Sequence, residues 1–155
     1  MKENGKENST AGKVMSISVS KKKGIPKTNI YRAKLIKEHG IDGDAHSGNW
    51  HRQVSLLAFE SIEKMRKVGL PNIRPGAFAE NITTQFIDVP NLSVGTKLKI
   101  GNDVELEITQ IGKECHSKCS IFYEVGDCVM PREGIFAIVT ESGKITAGDE
   151  ISVVN

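Results

Sequence analysis

Hydrophobic and polar residues alternate with the two-residue period of β-strands in several short stretches of the chain. Residues 14–20 alternate in this way, and residues 53–58 have the composition of a buried strand. Residues 96–100 and 104–109 alternate on either side of a Gly-Asn-Asp turn, which predicts a hairpin with Leu98 and Ile100 facing inward. Further strands are predicted at 135–140 and 151–154, with a turn at 141–144.

One segment follows helical spacing instead. Apolar or small residues recur at positions 58, 62, 65 and 69, and the pairs 60/64 and 63/67 place a Glu four residues before a Lys. These features predict a helix from about residue 59, which Gly69 and Pro71 would end. Residues 31–38 are compatible with either a strand or a short helix. Many short strands, glycine turns and one clear helix indicate a mostly-β barrel or sandwich.

Composition narrows the class of protein. The 155 residues suit one domain, and we expect residues 13–155 to form it, after a polar, disordered tail at 1–12. The formal charge of +2 argues against a dedicated nucleic-acid binder. No apolar run approaches the roughly 18 residues of a membrane span, and no secretory signal stands at the N-terminus, so we expect a cytoplasmic protein.

The three cysteines fall in one short segment, as Cys115, Cys119 and Cys128. Nearby basic side chains, including Lys113 and His116, would favour the thiolate form of Cys115, the reactive form of cysteine. Three interpretations remain open: a reactive or ligand-binding thiol, inert buried thiols, or a zinc site formed by the three cysteines and His116. The spacing between the cysteines does not match the familiar zinc motifs, which ranks zinc last.

Two loops carry further candidate chemistry. Residues 43–53 place Asp44, His46 and Arg52 just before a buried strand, which suggests a site for an anion or a cofactor. Residues 74–84 combine a Pro-Gly turn at Gly76 with a Glu-Asn pair at 80–81. Glu80 and Asn81 could either satisfy buried backbone groups or belong to a loop that binds a polar ligand. The basic triplet at 21–23 is more simply explained as solvated surface.

Taken together, these segments resemble the MOSC domain family, named for the C-terminal domain of molybdenum cofactor sulfurases. The matching stretches are Gly-Asp-Ala-His-Ser-Gly at 43–48, Arg-Gln-Val-Ser-Leu-Leu at 52–57, Pro-Gly-Ala-Phe-Ala-Glu-Asn-Ile at 75–82, Gly-Lys-Glu-Cys at 112–115 and Gly-Ile-Phe-Ala at 134–137. The chain looks most like the small stand-alone bacterial members. The resemblance implies a single mostly-β, barrel-like domain with one or a few short helices.

The resemblance also implies binding of the molybdenum cofactor, a molybdopterin, and handling of its sulfur. Cys115 matches the family's sulfur-handling cysteine and would be a ligand of the molybdenum. The cofactor phosphate would contact arginine or lysine side chains, and the polar loops would line the same cleft. The candidate cofactor-binding residues are Asp44, His46, Arg52, Arg74, Gly76, Glu80, Asn81, Lys113 and Arg132.

The expected function is therefore that of a sulfur carrier or sulfurtransferase, supplied by a cysteine desulfurase and serving a molybdoenzyme. The chain has no room for the pyridoxal-phosphate desulfurase domain of full-length sulfurases, so we expect no pyridoxal phosphate. Two alternatives stay open: a non-catalytic module that delivers the cofactor, or the molybdenum-dependent component of a reductase acting on N-hydroxylated compounds. Whether the protein is an enzyme is left undecided by the sequence.

Overall fold

The computed structural model describes residues 10–67, 73–112 and 133–154. The strands are β1 (Ala11–Val19), β2 (Thr28–Ile30), β3 (Arg32–Ile36), β4 (Gly40–Ile41), β5 (Val54–Ala58), β6 (Ile82–Gln85), β7 (Lys97–Ile100), β8 (Val104–Ile111), β9 (Ile135–Glu141), β10 (Gly143–Thr146) and β11 (Glu150–Val153). The helix α1 (Phe59–Lys67) follows β5, and a 3-10 turn spans Val89–Asn91.

Seven strands close into a barrel. Their order is β11-β7-β8-β9-β5-β6-β1, and β1 pairs with β11 to complete the ring. The closing pairs join Ala11 to Ser152 and Lys13 to Glu150. β2 extends the sheet beside β1, while β10, β3 and β4 form a smaller antiparallel sheet. The structure thus confirms the mostly-β prediction and selects the barrel over the sandwich.

The position of α1 follows from strand direction. β5 and β6 are parallel, whereas the other neighbouring barrel strands are antiparallel. Parallel neighbours need a long crossover connection, and α1 with the loop at 73–81 supplies it. The predicted helix is therefore confirmed over the residues described, while Gly69 and Pro71 lie outside them.

Two apolar clusters hold the fold. The larger fills the barrel with inward-facing residues such as Leu98, Ile100 and Ile108, as the hairpin pattern predicts. The smaller lies outside the barrel wall, where Phe136 of β9 and Leu57 of β5 pack against Ile62 of α1. Outward-facing residues of β5 and β9 are therefore covered by α1 and the 73–81 loop, which creates a sheltered face.

Two expectations need correction, and one open alternative is decided. β1 begins at Ala11, so residues 11 and 12 belong to the barrel rather than to a tail, because they pair with β11. Residues 32–36 are a strand, because β3 pairs with β10 on one side and β4 on the other. β10 itself begins at Gly143, inside the predicted turn.

Within the described residues, no helix has the length and apolar character needed to cross a membrane.

Candidate functional site

A buried ion pair lies at the centre of the polar residues that precede β5. The Lys27 ammonium is 2.9 Å from Asp44 Oδ1, and both side chains have no solvent exposure. Lys27 also donates to Ser20 Oγ at 2.9 Å and lies 3.2 Å from Nδ1 of His46. The side chain thus has three oxygen or nitrogen neighbours, which matches the three hydrogens of an ammonium group.

Asp44 is equally well surrounded. Its carboxylate accepts backbone N–H groups of Ser20 and His46 at 3.1 and 3.0 Å. Burial alone would raise the pKa of Asp44, but the hydrogen bond and charge of Lys27 together with these amides outweigh it, and the pKa lies below its ordinary value. Burial lowers the pKa of Lys27, and Asp44 opposes that shift.

Trp50 forms the platform next to this pair. The His46 ring is parallel to the indole within 4°, with 6.3 Å between ring centroids, and Trp50 Nε1 donates to His46 O at 2.7 Å. The Lys23 ammonium lies 4.3 Å from the indole centroid and the Arg52 guanidinium 4.9 Å from it. Two cations therefore lie near one aromatic ring, an arrangement that cation–π attraction stabilises.

Arg52 connects the platform to the barrel wall. Its guanidinium also lies 5.5 Å from the Phe136 ring, and its buried Nε has no hydrogen-bond partner among the described residues. Beside it, His51 Nε2 is 2.9 Å from Gln110 Oε1, near the end of β8. Because a buried polar atom normally has a partner, the Arg52 Nε indicates a place for an acceptor that the described residues do not supply.

The loop at 73–81 flanks the ion pair on its other side. Arg74, which is exposed, donates to the carbonyl oxygens of Lys27 and Pro75 at 2.7 and 2.8 Å. Gly76 has φ +94°, and a Cβ there would lie 2.6 Å from Lys27 O, so only glycine fits. The loop and the Lys27 backbone therefore pack in direct contact.

Glu80 and Asn81 act within the protein. Glu80 is fully buried and accepts from Gly76 N, Phe78 N and Thr83 Oγ1. Asn81 Oδ1 accepts from Ser55 N at 2.9 Å, and its amide donates to a β1 carbonyl. Burial raises the pKa of Glu80, against the lowering effect of its hydrogen bonds. These contacts correspond to the first of the two alternatives, in which Glu80 and Asn81 satisfy buried polar groups of the protein.

Contacts through Lys27 connect Asp44 and His46 with Arg74 and Gly76, and Trp50 connects His46 with Arg52. Lys113, Cys115 and Arg132, and with them Cys119, Cys128 and the possible zinc ligand His116, lie outside the described residues. No group of three or more His, Cys, Asp or Glu side chains within the described parts of the chain could hold a metal ion.

Sequence reasoning missed the buried Lys27 and the part played by Trp50. Lys27 follows a proline in a loop, and its carboxylate partner is 17 residues away, so no local signal marks it. The triplet at 21–23 is exposed, as expected of solvated surface, but Lys23 also contacts Trp50. The pattern that could have indicated this stacking is the pair Trp50-His51, which follows His46 by four residues.

A separate cavity of about 770 Å³ lies beside the start of α1 and contains none of the predicted site residues. Its carboxylates already bind the protein itself: Glu133 contacts Ser61 and Lys64, and Glu60 accepts from Phe86 N. The candidate site is therefore the cationic face around Trp50 and Arg52. That face suits a phosphorylated, acceptor-rich ligand such as a molybdopterin, because its unpartnered donor is a guanidinium.

Solved structures show the same fold. The YuaD protein from Bacillus subtilis superposes with a TM-score of 0.77 at 20% identity, covering 93% of this chain and 96% of that one. YiiM from Geobacillus stearothermophilus gives 0.71 at 19% identity, with coverage of 93% and 75%. YiiM from Escherichia coli gives 0.66 at 16% identity, with coverage of 92% and 70%. No curated protein sequence matches the chain.

The sequence of the chain also matches the model of a protein family. The model of the MOSC domain matches residues 43–152, which include the Asp44–Arg52 loop, the 73–81 loop and the barrel strands from β5 to β11. The MOSC family is generally linked to molybdenum-cofactor function. A match over this span shows family membership: the chain belongs to the MOSC domain family.

Proposed function

We propose that this MOSC protein binds the phosphorylated pterin of the molybdenum cofactor on its cationic face and carries sulfur on Cys115. The observation that supports it most is Arg52, whose guanidinium lies 4.9 Å from the Trp50 ring and 5.5 Å from the Phe136 ring, with Nε unpartnered among the described residues. A guanidinium held by two aromatic rings is pre-oriented to bind a phosphate in bidentate fashion.

Charge on this face favours an anionic ligand. Lys27 neutralises Asp44, so the positive charges of Lys23, Arg52 and Arg74 are not offset by that carboxylate. These three side chains would contact the phosphate or the pterin, while Gly76 lets the 73–81 loop pack directly on the Lys27 backbone beside them. Lys113 and Arg132 would add to the same charge, and the bound molybdenum would offer a soft, sulfur-accepting centre.

Cys115 follows Gly112 by three residues, which span at most about 11 Å of chain. Gly112 is anchored, because its N–H donates to Gly134 O at 2.6 Å and its carbonyl accepts from Gln110 Nε2 at 2.8 Å. Gln110 in turn contacts His51, next to Trp50 and Arg52. The proposal that Cys115 acts at the cationic face is supported by this series of contacts from the anchored Gly112 to His51.

The proposed chemistry at Cys115 is thiol exchange with a persulfide. The Cys115 thiolate attacks the outer sulfur of a donor persulfide, the donor S–S bond breaks, and the donor leaves as a thiolate while Cys115 becomes a persulfide. No net oxidation occurs, since one S–S bond replaces another. A cysteine desulfurase would be the donor and a molybdoenzyme the final acceptor, in the reducing cytoplasm where thiols stay free.

Mass spectrometry tests sulfur carriage directly. We expect the protein incubated with a cysteine desulfurase and cysteine to gain one sulfur on Cys115, while Cys115→Ser gains none there. Cys119→Ser and Cys128→Ser are the matched controls and should gain it as the wild type does. Equal sulfur loading of Cys115→Ser and wild type, or loading confined to Cys128, contradicts the proposal.

Binding of purified molybdopterin tests the other half. Loss of a hydrogen bond to a charged group costs about 1.5–3 kcal/mol, so Arg52→Gln should weaken binding roughly tenfold or more. Arg32→Gln, which changes an exposed arginine near Tyr31, is the control and should bind normally. Normal binding by Arg52→Gln contradicts the assigned phosphate site. Binding without sulfur loading would instead identify a delivery module.

A further inference from the structure

We propose that Ser20 is a positioning residue whose hydroxyl connects the buried Lys27–Asp44 pair to the loop between β1 and β2. In this role it keeps the Lys23 ammonium beside the Trp50 ring. The buried pair then serves the candidate site as well as the fold. The inference rests on the proposed function only for the ligand that Lys23 contacts, since the contacts of Ser20 belong to the ligand-free protein.

The β1–β2 loop, residues 20–27, begins and ends at the buried pair. Its first residue, Ser20, donates its backbone N–H to Asp44 Oδ1 at 3.1 Å, and its last residue, Lys27, places its ammonium 2.9 Å from the same oxygen. The Ser20 carbonyl also accepts from Ala45 N at 2.8 Å. One carboxylate oxygen therefore fixes the two ends of the loop relative to each other.

The Ser20 hydroxyl joins the pair to the middle of the loop. Its oxygen accepts from Lys27 Nζ at 2.9 Å, and its O–H donates to Lys22 O at 2.8 Å. A serine hydroxyl can do both at once because it has one donor and two lone pairs. The carbonyl of Lys22 belongs to the planar peptide group that leads into Lys23, so the hydroxyl fixes the backbone from which Lys23 extends.

Lys23 is the residue through which this loop meets the candidate site. Its side chain is exposed, yet its ammonium lies 4.3 Å from the Trp50 ring centroid, and the Arg52 guanidinium lies 4.9 Å from the same centroid. An exposed cation–π contact is weak, and a lysine side chain loses much rotamer freedom when it is held in one place. A fixed backbone at Lys23 lowers the entropy that this contact must overcome, and Ser20 supplies it.

The contacts of the buried pair favour this role over one in the barrel alone. Apart from each other, the side chains of the pair contact Ser20 in the β1–β2 loop and His46 in the loop before β5. The first of these loops carries Lys23, and the second carries Trp50. The pair therefore fixes two loops to each other at the place where the ammonium meets the indole.

Tryptophan fluorescence tests the positioning without a ligand, because Trp50 is the single tryptophan of the chain. The field of a nearby ammonium alters indole emission, so we expect Lys23→Gln to change the spectrum and Ser20→Ala to change it in the same direction. In the Ser20→Ala background, Lys23→Gln should have little further effect. The control is Ser142→Ala, which removes a hydroxyl that accepts from Lys37 N and should give the wild-type spectrum.

Two results of this measurement overturn the proposal. One is an emission spectrum that Lys23→Gln leaves unchanged, and the other is an equal change from Lys23→Gln in the wild-type and Ser20→Ala backgrounds. Both serine variants lose a single hydroxyl from a site that is not fully buried, and a cooperative thermal transition verifies that they remain folded.

A double-mutant cycle on molybdopterin binding tests the consequence for the site. At low ionic strength, Lys23→Gln should weaken binding roughly fivefold, the effect of one unit charge close to the phosphate in a water-like medium. The same substitution should have almost no effect in the Ser20→Ala background, whereas Arg52→Gln should weaken binding equally in both backgrounds.

Equal losses from Lys23→Gln in the two backgrounds overturn the role of Ser20 and leave the proposed function standing. Normal binding by both Lys23→Gln and Arg52→Gln counts instead against the proposed function. The fluorescence measurement then still decides the inference, because it needs no cofactor.

Discussion

The Lys27–Asp44 pair shows how a charge is kept inside a small domain. Moving an ion out of water costs several kcal/mol, and the cost is offset only if the partner and the remaining hydrogen-bond sites are all satisfied. Lys27 lies within 3.2 Å of Ser20 Oγ, Asp44 Oδ1 and His46 Nδ1, and Asp44 accepts from the ammonium and two backbone amides. Removal of either partner would therefore leave the other as a buried charge without compensation.

Asp44→Asn should expose this dependence, since it removes the charge that compensates Lys27 and leaves the shape almost unchanged. We expect a loss of about 3–5 kcal/mol in the free energy of unfolding at neutral pH. Asp42→Asn, two residues away on an exposed side chain, should cost almost nothing. Denaturant unfolding of the two variants and the wild type measures both values.

The same pair predicts the sign of a pH effect. The folded pKa of Asp44 is depressed, so its stabilising contribution is present above the unfolded pKa of about 3.9 and is lost as the pH falls through the folded value. The stability gap between wild type and Asp44→Asn should therefore narrow below about pH 4. A gap that stays constant down to acid unfolding would show that Asp44 does not titrate as the geometry requires.

At the scale of elements, the loop at 73–81 depends on one carboxyl group. Glu80 binds Gly76 N and Phe78 N within the loop and Thr83 Oγ1 on β6, so it joins the connection to the strand that it leads into. Gly76 then packs against the Lys27 backbone. The crossover between β5 and β6 is thus held in contact with the candidate site.

Glu80→Gln should change the pH dependence of stability. Burial raises the folded pKa of Glu80, so its contribution is fully present below the unfolded pKa of about 4.3 and falls as the pH rises through the folded value. We expect Glu80→Gln to be less stable than wild type near pH 4, by about 1–3 kcal/mol for the disturbed hydrogen bonds, with a smaller gap at higher pH. The exposed Glu141→Gln serves as control, and a gap that widens as the pH rises contradicts the direction.

At the scale of the whole molecule, closure of the barrel depends on a tight contact at Gly12. This residue pairs with Ile151 of β11, and a Cβ on it would lie 2.1 Å from Gln85 O and 2.8 Å from Ile87 N. Those atoms belong to the backbone, which cannot relieve the clash by a rotamer change as a side chain can. The first strand can therefore reach both of its neighbours only because it has no side chain at this point.

Gly12→Ala should destabilise the barrel as a whole. Overpacking costs typically about 1–3 kcal/mol and more where backbone must move, and each kcal/mol lowers the melting temperature of a protein of this size by roughly 2–4 °C. Gly95→Ala places the same methyl group in open space at φ +94°, so it measures the backbone strain alone. Gly12→Ala should melt at the lower temperature of the two, and the reverse order would show that β1 can shift without cost.

Much of the fold was predictable because its signals are local. The alternation at 96–109 identifies the hairpin of β7 and β8, and helical spacing with paired charges identifies α1. Glycine and polar residues at 43–48 and 75–81 mark the loops beside the site, and their order along the chain carries the family resemblance that the MOSC match confirms. Each of these signals depends on residues that are close in sequence.

The sequence by itself therefore determined the helix, the loops that carry polar chemistry and six of the strands, namely β1, β5, β7, β8, β9 and β11. Only the tertiary structure decided which distant segments meet: β11 on β1, β10 on β3, and Lys27 on Asp44. The physical reason is that a strand's pattern shows which face is buried but not which edge it pairs with. Likewise, a lysine in a polar loop becomes a buried cation only when the fold brings an anion and two further polar groups to it.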